Sequence, residues 1–180
     1  TIEQVISQSI QIRNLILATS PGVTIYNDPI HFEHIGNKLE TFEQCKGVPG
    51  INLPKFSTNL DGWDTYPCLV FAKRASGGRH RYCCAHRDDA KRAIRKVRSA
   101  KGSNMHVVCE FLNSYIPSEG YHHCLRLMVV NNTLVDWFMR PASEWNIHTR
   151  TQRMDRLQDA DRYFVQYYAN QENRSKIHTL

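Results

Sequence analysis

No run of about 18 apolar residues, the minimum for a membrane-spanning helix, occurs in this 180-residue chain. Residues 1–10 also lack the basic-then-apolar layout of a secretion signal. The composition is 41% hydrophobic, with a mean hydropathy of -0.50. We therefore expect a soluble globular protein with no membrane partner. The chain begins without methionine, which suggests a processed start or an excised piece.

Cysteine is scarce and scattered. Six cysteines in a chain of this length do not form the dense framework of a small disulfide-stapled domain. Cys68 and Cys109 lie in apolar runs, where we expect them to act as small core residues. A reducing, cytoplasmic setting is the simpler interpretation. Two groups of His and Cys residues are candidates for zinc binding: His80, Cys83, Cys84 and His86, and residues 122–124. A zinc site is disfavoured because neither group contains the paired Cys-x-x-Cys knuckles of structural zinc sites.

Several catalytic motifs are also missing. We find no Ser-His-Asp or Cys-His arrangement, no dinucleotide fingerprint, no internal repeat and no low-complexity segment. What the chain does have is a net charge of +6, much of it between residues 73 and 101. This charge suits nucleotide phosphates, nucleic acid or acidic peptides. Because the basic stretch lacks regularly interleaved aromatic residues, we favour a nucleotide over a nucleic acid.

The first half of the chain predicts alternating helix and extended segments. Apolar residues at helical spacing indicate a first helix that residues 21–22 (Pro-Gly) end. Residues 23–26 are typical of a short strand. A second helix is predicted from Ile30 to about Lys46, begun by Asp28 and Pro29 and ended at Gly47. Residues 51–56 look extended.

The second half predicts a mixed α+β fold. Residues 69–73 and 79–84 form a predicted hairpin, and a helix runs from Asp88 to near Gly102. Further strands are predicted at 105–111, 125–130 and 133–139, the last two joined by a tight Asn-Asn turn. A final helix covers residues 154 to about 169.

Two lysines stand in settings that suit phosphate binding. Lys73 ends an apolar strand and is followed by Ser76, Gly77 and Gly78. An ammonium group supplies a point charge, and glycines let backbone N–H groups approach phosphate oxygens. Lys38 follows a Gly-Asn step at residues 36–37. The alternative for Lys38 is an ordinary lysine on a helix surface.

Five segments in order resemble the ATP-grasp superfamily, which includes D-alanine–D-alanine ligase, glutathione synthetase and the ribosomal-protein glutamate ligases. They are the Asn-Asp-Pro turn at 27–29, Asn37-Lys38, the strand and glycine loop at 67–78, residues 107–112, and residues 125–130 with Arg140 and 145–148. The resemblance runs from about Val23 to the end. It implies an α+β, two-lobed fold whose C-terminal lobe is incomplete.

The resemblance also implies roles for particular residues. Lys38 and Lys73 would hold ATP phosphates with Ser76, Gly77 and Gly78, and Arg126 and Arg140 would face the phosphates or an acyl phosphate. Adenine would meet Glu110 and the backbone of Phe111 and Leu112, and Glu119 would bind ribose. Asn146 would contact metal or substrate. Ordinary roles remain open for five of these residues. Glu110 could be a water-facing carboxylate at a strand end, Glu119 a turn carboxylate, Arg126 and Arg140 ion-pair residues, and Asn146 a loop cap.

The implied activity is an ATP- and Mg²⁺-dependent ligase that activates a carboxylate as an acyl phosphate and joins it to an amine or thiol. The family's acidic metal ligands are not recognisable after Asn146, and residues 171–173 are a poor substitute. We therefore expect a piece of a longer enzyme. Its parts would be the end of a substrate domain (1–27), a small lobe (28–104) and part of a large lobe (105–180). Substrates would be ATP and a small molecule or peptide, and a homodimer is left open. The alternative is a non-catalytic nucleotide- or partner-binding module of the same fold.

Overall fold

A computed structural model describes residues 2–25, 28–31, 36–75, 78–130, 133–147, 154–156, 158, 162 and 165–166. Helices in these residues are α1 (Ile2–Thr19), α2 (Lys38–Cys45) and α3 (Arg87–Lys101), with 3-10 turns at Pro29–His31 and Met154–Arg156. The strands are β1 (Phe56–Ser57), β2 (Cys68–Ala72), β3 (Arg81–Cys84), β4 (His106–Glu110), β5 (Tyr115–Ile116), β6 (Tyr121–Val130) and β7 (Thr133–Ala142). The predicted α+β class is confirmed.

A four-stranded antiparallel sheet forms the centre of the first part of the chain. Its strand order is β1-β4-β2-β3, and β2 pairs with both β3 and β4. Side chains alternate between the two faces of a strand. Cys68, Val70 and Ala72 therefore pack with α3 in one core cluster, whereas Leu69 and Phe71 pack on the opposite face with α2.

Helix α3 follows the predicted pattern closely. Asp88 and Asp89 occupy its first turn and Arg98 and Lys101 its last, which complements the helix dipole. Its apolar stripe is buried against the sheet and consists of Ala90, Ala93, Ile94 and Val97. The helix ends where Gly102 adopts a φ of +106°, a conformation that glycine takes without steric penalty.

The second sheet has three antiparallel strands in the order β5-β6-β7. Strands β6 and β7 form a long hairpin in which Leu125 pairs with Met139 and Arg126 pairs with Phe138. Alternation therefore puts Leu125 and Met139 on one face and Arg126 and Phe138 on the other. The strands are longer at their outer ends than the sequence predicted, and β5 was not predicted.

Two predictions for the first half were wrong. Residues 23–25 are not a strand, and the single helix expected from Ile30 to Lys46 is instead a 3-10 turn at Pro29–His31 and, from Lys38, helix α2. The Asp28 carboxylate caps only the 3-10 turn, since its Oδ1 accepts from the Ile30 N–H at 3.0 Å. Only Phe56 in the extended segment 51–56 joins a strand. The predicted final helix falls largely outside the described residues.

Two sequence expectations about the cysteines are met. All six are free thiols. Cys68 and Cys109 are buried core residues, with 0% and 4% of their surface exposed. Separately, none of the helices in the described segments is long and apolar enough to cross a membrane.

Candidate functional site

A cavity of about 310 Å³ lies between α2 and the sheet face that carries Leu69 and Phe71. This volume is at the lower end of the range for small-molecule pockets. The cavity lies on the opposite side of the sheet from α3. Its lining residues are Lys38, Thr41, Phe42, Pro54, Leu69, Phe71, Arg81, Cys109, Glu110 and Leu112.

One wall of the cavity is apolar. Phe42 of α2 meets Phe71 of β2 edge to face, with ring centroids 6.5 Å apart. Cys109 of β4 lies beside them, and burial raises the pKa of its thiol to about 12. The thiol is therefore neutral at physiological pH and acts as a small apolar side chain. Such a wall suits a flat, largely apolar ring.

Hydrogen bonds from both its backbone and its side chain fix the position of Lys38 in the cavity. It is the first residue of α2, and the Asn37 side chain caps that helix by accepting from the Leu39 N–H at 3.2 Å. The Lys38 backbone N–H donates to the Lys73 carbonyl at 3.0 Å, and its Nζ donates to the Ala75 carbonyl at 2.9 Å. These bonds tie the start of α2 to the segment that leads into the glycine loop.

Arg81 also lines the cavity and was not among the predicted site residues. Its guanidinium lies over the Phe71 ring, 5.9 Å from the centroid. Burial lowers its pKa, and so does the positive charge of Arg126. Burial likewise lowers the pKa of Lys38, with a further contribution from Arg81. Arg81 is therefore close enough to Lys38 on α2, and to Arg126 on β6, for their like charges to repel.

Arg126 and Arg140 lie on the same face of the β6–β7 hairpin. Arg126 pairs with Phe138, and Cys124 pairs with Arg140, so the two arginines are diagonal neighbours. The Arg140 guanidinium lies 5.5 Å from the centroid of the Phe138 ring. Its Nε is buried and makes no hydrogen bond to any described group. The charge of Arg126 is close enough to Arg81 to lower the pKa of that guanidinium. Neither Arg126 nor Arg140 lines the cavity, and their predicted role at the phosphates stays a prediction.

Lys73 takes a different position from Lys38. Its backbone N–H donates to the Met105 carbonyl at 2.8 Å, which extends the β2–β4 pairing by one step. The side chain is half-buried and does not line the cavity. Its role at the phosphates stays a prediction.

The glycine loop is described only in part, since Ser76 and Gly77 lie outside the described residues. Gly78 has a φ of +70° and lies against Asn146; a Cβ built on it would be 3.1 Å from Asn146 Oδ1. Asn146 therefore touches the loop beside the cavity. Its predicted role toward metal or substrate stays a prediction.

Residues 110–112 form the edge of the cavity that was predicted to hold adenine. Glu110 and Leu112 line it. The Glu110 carboxylate accepts from the Lys55 N–H at 3.0 Å, so that side chain is tied to the neighbouring strand. Phe111 meets Trp145 edge to face at 6.1 Å. This contact joins the segment to the chain that follows β7.

Glu119 is in the turn between β5 and β6, where its N–H donates to the Ile116 carbonyl at 3.1 Å. It does not line the cavity, and its predicted contact with ribose stays a prediction. As for metals, no cluster of three or more His, Cys, Asp or Glu side chains able to hold an ion occurs in the described segments.

Comparisons with known proteins give little further guidance. No protein-family model matches the chain, and no curated protein does. Among solved structures, a variant of pyruvate carboxylase from Rhizobium etli with acetyl coenzyme A is similar at 17% identity and a TM-score of 0.45. The match covers 84% of this chain and 14% of the carboxylase chain. A likeness of this size supports no argument about family or activity.

Proposed function

We propose that the chain binds ATP in this cavity and is the ATP-binding segment of an ATP-grasp-like ligase. The observation that carries the proposal is that two cationic side chains, Lys38 of α2 and Arg81 of β3, line one cavity that also has an apolar wall. Neither makes an ion pair with a carboxylate in the described part of the chain. We call the part of the cavity beside these two side chains the phosphate end.

The charge arrangement favours an anion with several negative charges. The charge of Arg81 lowers the pKa of Lys38, after the larger effect of burial, and the charge of Arg126 likewise lowers the pKa of Arg81. An anion placed among them would relieve that repulsion. Arginine forks and a lysine ammonium are the side chains that bind phosphate oxygens most effectively. A triphosphate therefore fits this end of the cavity.

The apolar wall of the same cavity suits the adenine ring. Phe42, Phe71 and Cys109 supply an apolar wall, and the backbone of residues 110–112 runs along the edge. Backbone N–H and C=O groups at such an edge can recognise the hydrogen-bonding pattern of adenine. The nucleoside would lie against α2 and the phosphates would point toward the β6–β7 hairpin.

In a ligase of this kind, a substrate carboxylate attacks the γ-phosphorus of ATP, which gives an acyl phosphate and ADP. An amine or thiol then attacks the acyl carbon, and phosphate leaves. Such reactions depend on positioning and on stabilising negative charge. Lys38 and Arg81 would hold the phosphates, and Arg126 and Arg140 would stabilise the transferred group. The carboxylate would belong to a small molecule or peptide.

The described residues do not fit a magnesium site. Mg²⁺ takes carboxylate oxygens, and usually keeps several waters. Asn146 provides only an amide near the glycine loop, and no carboxylate cluster lies with it. We therefore assign no step to a metal held by these residues.

Calorimetry with ATP, ADP and AMP, each with and without Mg²⁺, tests the proposal. We expect the intact chain to bind ATP and the Lys38→Gln variant to bind it at least about tenfold more weakly, a loss of about 1.4 kcal/mol. Lys46→Gln is the matched control, because it removes the same charge just beyond the same helix from an exposed side chain. Affinity that does not increase from AMP to ATP would contradict the proposed phosphate end.

The non-catalytic alternative is distinguished by turnover. A ligase segment should release ADP from ATP when its carboxylate substrate is supplied. A folded chain that binds ATP with the expected Lys38 dependence but never releases ADP, even when lengthened at its C-terminus, would be a nucleotide-binding module.

A further inference from the structure

A second concave surface lies on the opposite face of the four-stranded sheet. It is a groove of about 430 Å³ between α3 and the loop before residue 62. Four basic side chains of α3 line one side, and Asn59 and Asp61 line the other. His106, the first residue of β4, also lines it. We call this surface the α3 groove.

The basic residues of the α3 groove form one stripe along the helix. They are Arg87, Lys91, Arg95 and Arg98, which are three or four positions apart and therefore lie on the same helix face. At a rise of about 1.5 Å per residue the stripe is about 16 Å long. The whole helix carries seven of the chain's 23 lysine and arginine residues and only two of its acidic residues.

Most of this charge is not paired with a carboxylate among the residues that the structure describes. Lys91 lies 3.4 Å from Asp88, but both side chains are largely exposed. Arg87, Arg95 and Arg98 make no ion pair with a carboxylate in the described part of the chain. Three solvent-exposed arginines on one helix face, without carboxylate partners among the described residues, favour an anionic partner that extends along the helix.

His106 forms part of the floor of the groove and is only 3% exposed. Burial and then the charge of Arg98 lower its pKa, whereas the nearby backbones of Thr58 and Ser103 raise it, and the net shift is downward. The ring is held inside the protein beneath the basic stripe, so the case for a ligand rests on the stripe itself.

We propose that the α3 groove binds single-stranded RNA, with the arginine and lysine stripe on the phosphates. Arginine forks match phosphate oxygens, and a row of cations one turn apart matches a repeating backbone charge better than a single free phosphate. Asp61 on the opposite wall repels phosphates as well as carboxylates, so its charge does not choose between RNA and an acidic peptide. Its oxygens can accept from ribose hydroxyls and base amino groups, which are donors that the carboxylate side chains of an acidic peptide lack.

The geometry also predicts how the RNA would be recognised. The residues lining the α3 groove include no Phe, Tyr or Trp, and the ring of His106 is only 3% exposed, so bases have no platform on which to stack. Binding should depend mainly on phosphates and ribose, with a weak preference among bases. It should also be strongly dependent on salt.

Fluorescence anisotropy with a labelled oligouridine RNA of about 12 nucleotides, long enough to span a typical single-strand site, tests the proposal. We expect the Arg95→Gln/Arg98→Gln double variant to bind at least about tenfold more weakly, with the slope of log K against log salt reduced by about 1.4. The control is Lys96→Gln/Lys101→Gln, which removes the same charge from α3 outside the groove. The RNA affinity of this control variant should fall by less than about threefold.

Each other outcome would overturn the proposal. Equal losses in the two double variants would mean only general attraction to a basic protein. Equal affinity for polyglutamate of matched charge would assign the groove to acidic proteins, and equal affinity for single-stranded DNA would remove the role of the ribose hydroxyl. An intact chain that does not bind the RNA would contradict the proposal. Circular dichroism should confirm that both double variants are folded.

Discussion

Gly78 is the residue at which backbone conformation and packing restrict the sequence most clearly. Its φ of +70° strains any L residue, and an added Cβ would lie 3.1 Å from Asn146 Oδ1. We expect Gly78→Ala to lower the free energy of unfolding by about 1–2 kcal/mol, measured by urea denaturation. Gly22→Ala is the control, because nothing lies within 4 Å of its Cβ position. It should change stability by less than about 0.5 kcal/mol.

The double variant Gly78→Ala/Asn146→Ala separates the two causes. Removing the Asn146 side chain relieves the contact but leaves the backbone strain. Stability should therefore recover only in part relative to Gly78→Ala. If Gly78→Ala were as stable as the original chain, the close approach of Asn146 to the glycine loop would be wrong.

His106 links burial to pH dependence. Burial lowers its pKa first, and Arg98 lowers it further. An unfolded histidine titrates near 6.5, so below that pH the unfolded chain binds a proton that the folded chain does not. Stability from this group is complete above about pH 6.5 and is lost as the pH falls toward the lower folded pKa. Burial lowers the pKa of His123 as well, which adds a change in the same direction.

We therefore expect the free energy of unfolding to fall between about pH 7 and pH 5, and less steeply in His106→Gln than in the original chain. Urea denaturation at several pH values measures both slopes. The variant loses one of the two histidines that have lowered pKa values and keeps His123. An unchanged slope in His106→Gln would show that the ring is solvated or paired in solution.

At the scale of the element, α2 depends on its cap. The Asn37 side chain accepts from the Leu39 N–H, and the next residue is Lys38, whose Nζ lies at the proposed phosphate end. We expect Asn37→Ala to lower the free energy of unfolding by about 1 kcal/mol and to weaken ATP binding, because the start of the helix frays. Asn37→Asp keeps the cap and is the control. Urea denaturation and calorimetry check the two effects.

How far the sequence predicted these elements depended on local signals. Helix α3 has an acidic first turn, a buried apolar stripe and a terminal glycine, and its predicted bounds were correct to within a residue or two. The β2–β3 hairpin was signalled by an apolar run followed by a glycine loop, and the β6–β7 hairpin by an Asn-Asn pair between two apolar segments. Residues 23–25 were wrongly predicted as a strand because β-branched residues favour that conformation locally, but none of the strands in the described residues pairs with them.

The candidate site was predictable only in part. Lys38, Glu110 and Leu112 line the cavity, and their prediction came from the resemblance to a family. Arg81 was missed because sequence alone does not tell which face of β3 meets the cavity. Its position follows from the pairing of Phe71 with Arg81 across the hairpin. Phe42 was missed because the helix that carries it was predicted without a partner surface.

At the scale of the whole molecule, ATP should stabilise the folded chain. A ligand that binds only the folded state stabilises it by about 2.7 kcal/mol at a concentration of 100 Kd. We expect the thermal unfolding temperature to rise as the ATP concentration is raised. The Lys38→Gln variant should show a smaller rise at the same ATP concentration. Scanning calorimetry over a series of ATP concentrations measures this. A rise that is the same in Lys38→Gln would place ATP elsewhere.

The two proposed sites use opposite faces of one sheet, and this arrangement predicts that they can be lost separately. Val107 and Cys109 of β4 pack on the side of α2 and the cavity, whereas Val108 packs on the side of α3. Lys38→Gln should weaken ATP binding at least about tenfold and leave the affinity for oligouridine RNA within about twofold. Arg95→Gln/Arg98→Gln should do the reverse, because neither arginine lines the cavity. Calorimetry and anisotropy on the same protein preparations compare all four affinities. A variant that loses both ligands while remaining folded would mean that ATP and RNA compete for one basic surface, whereas separate losses follow only if the sheet divides two sites.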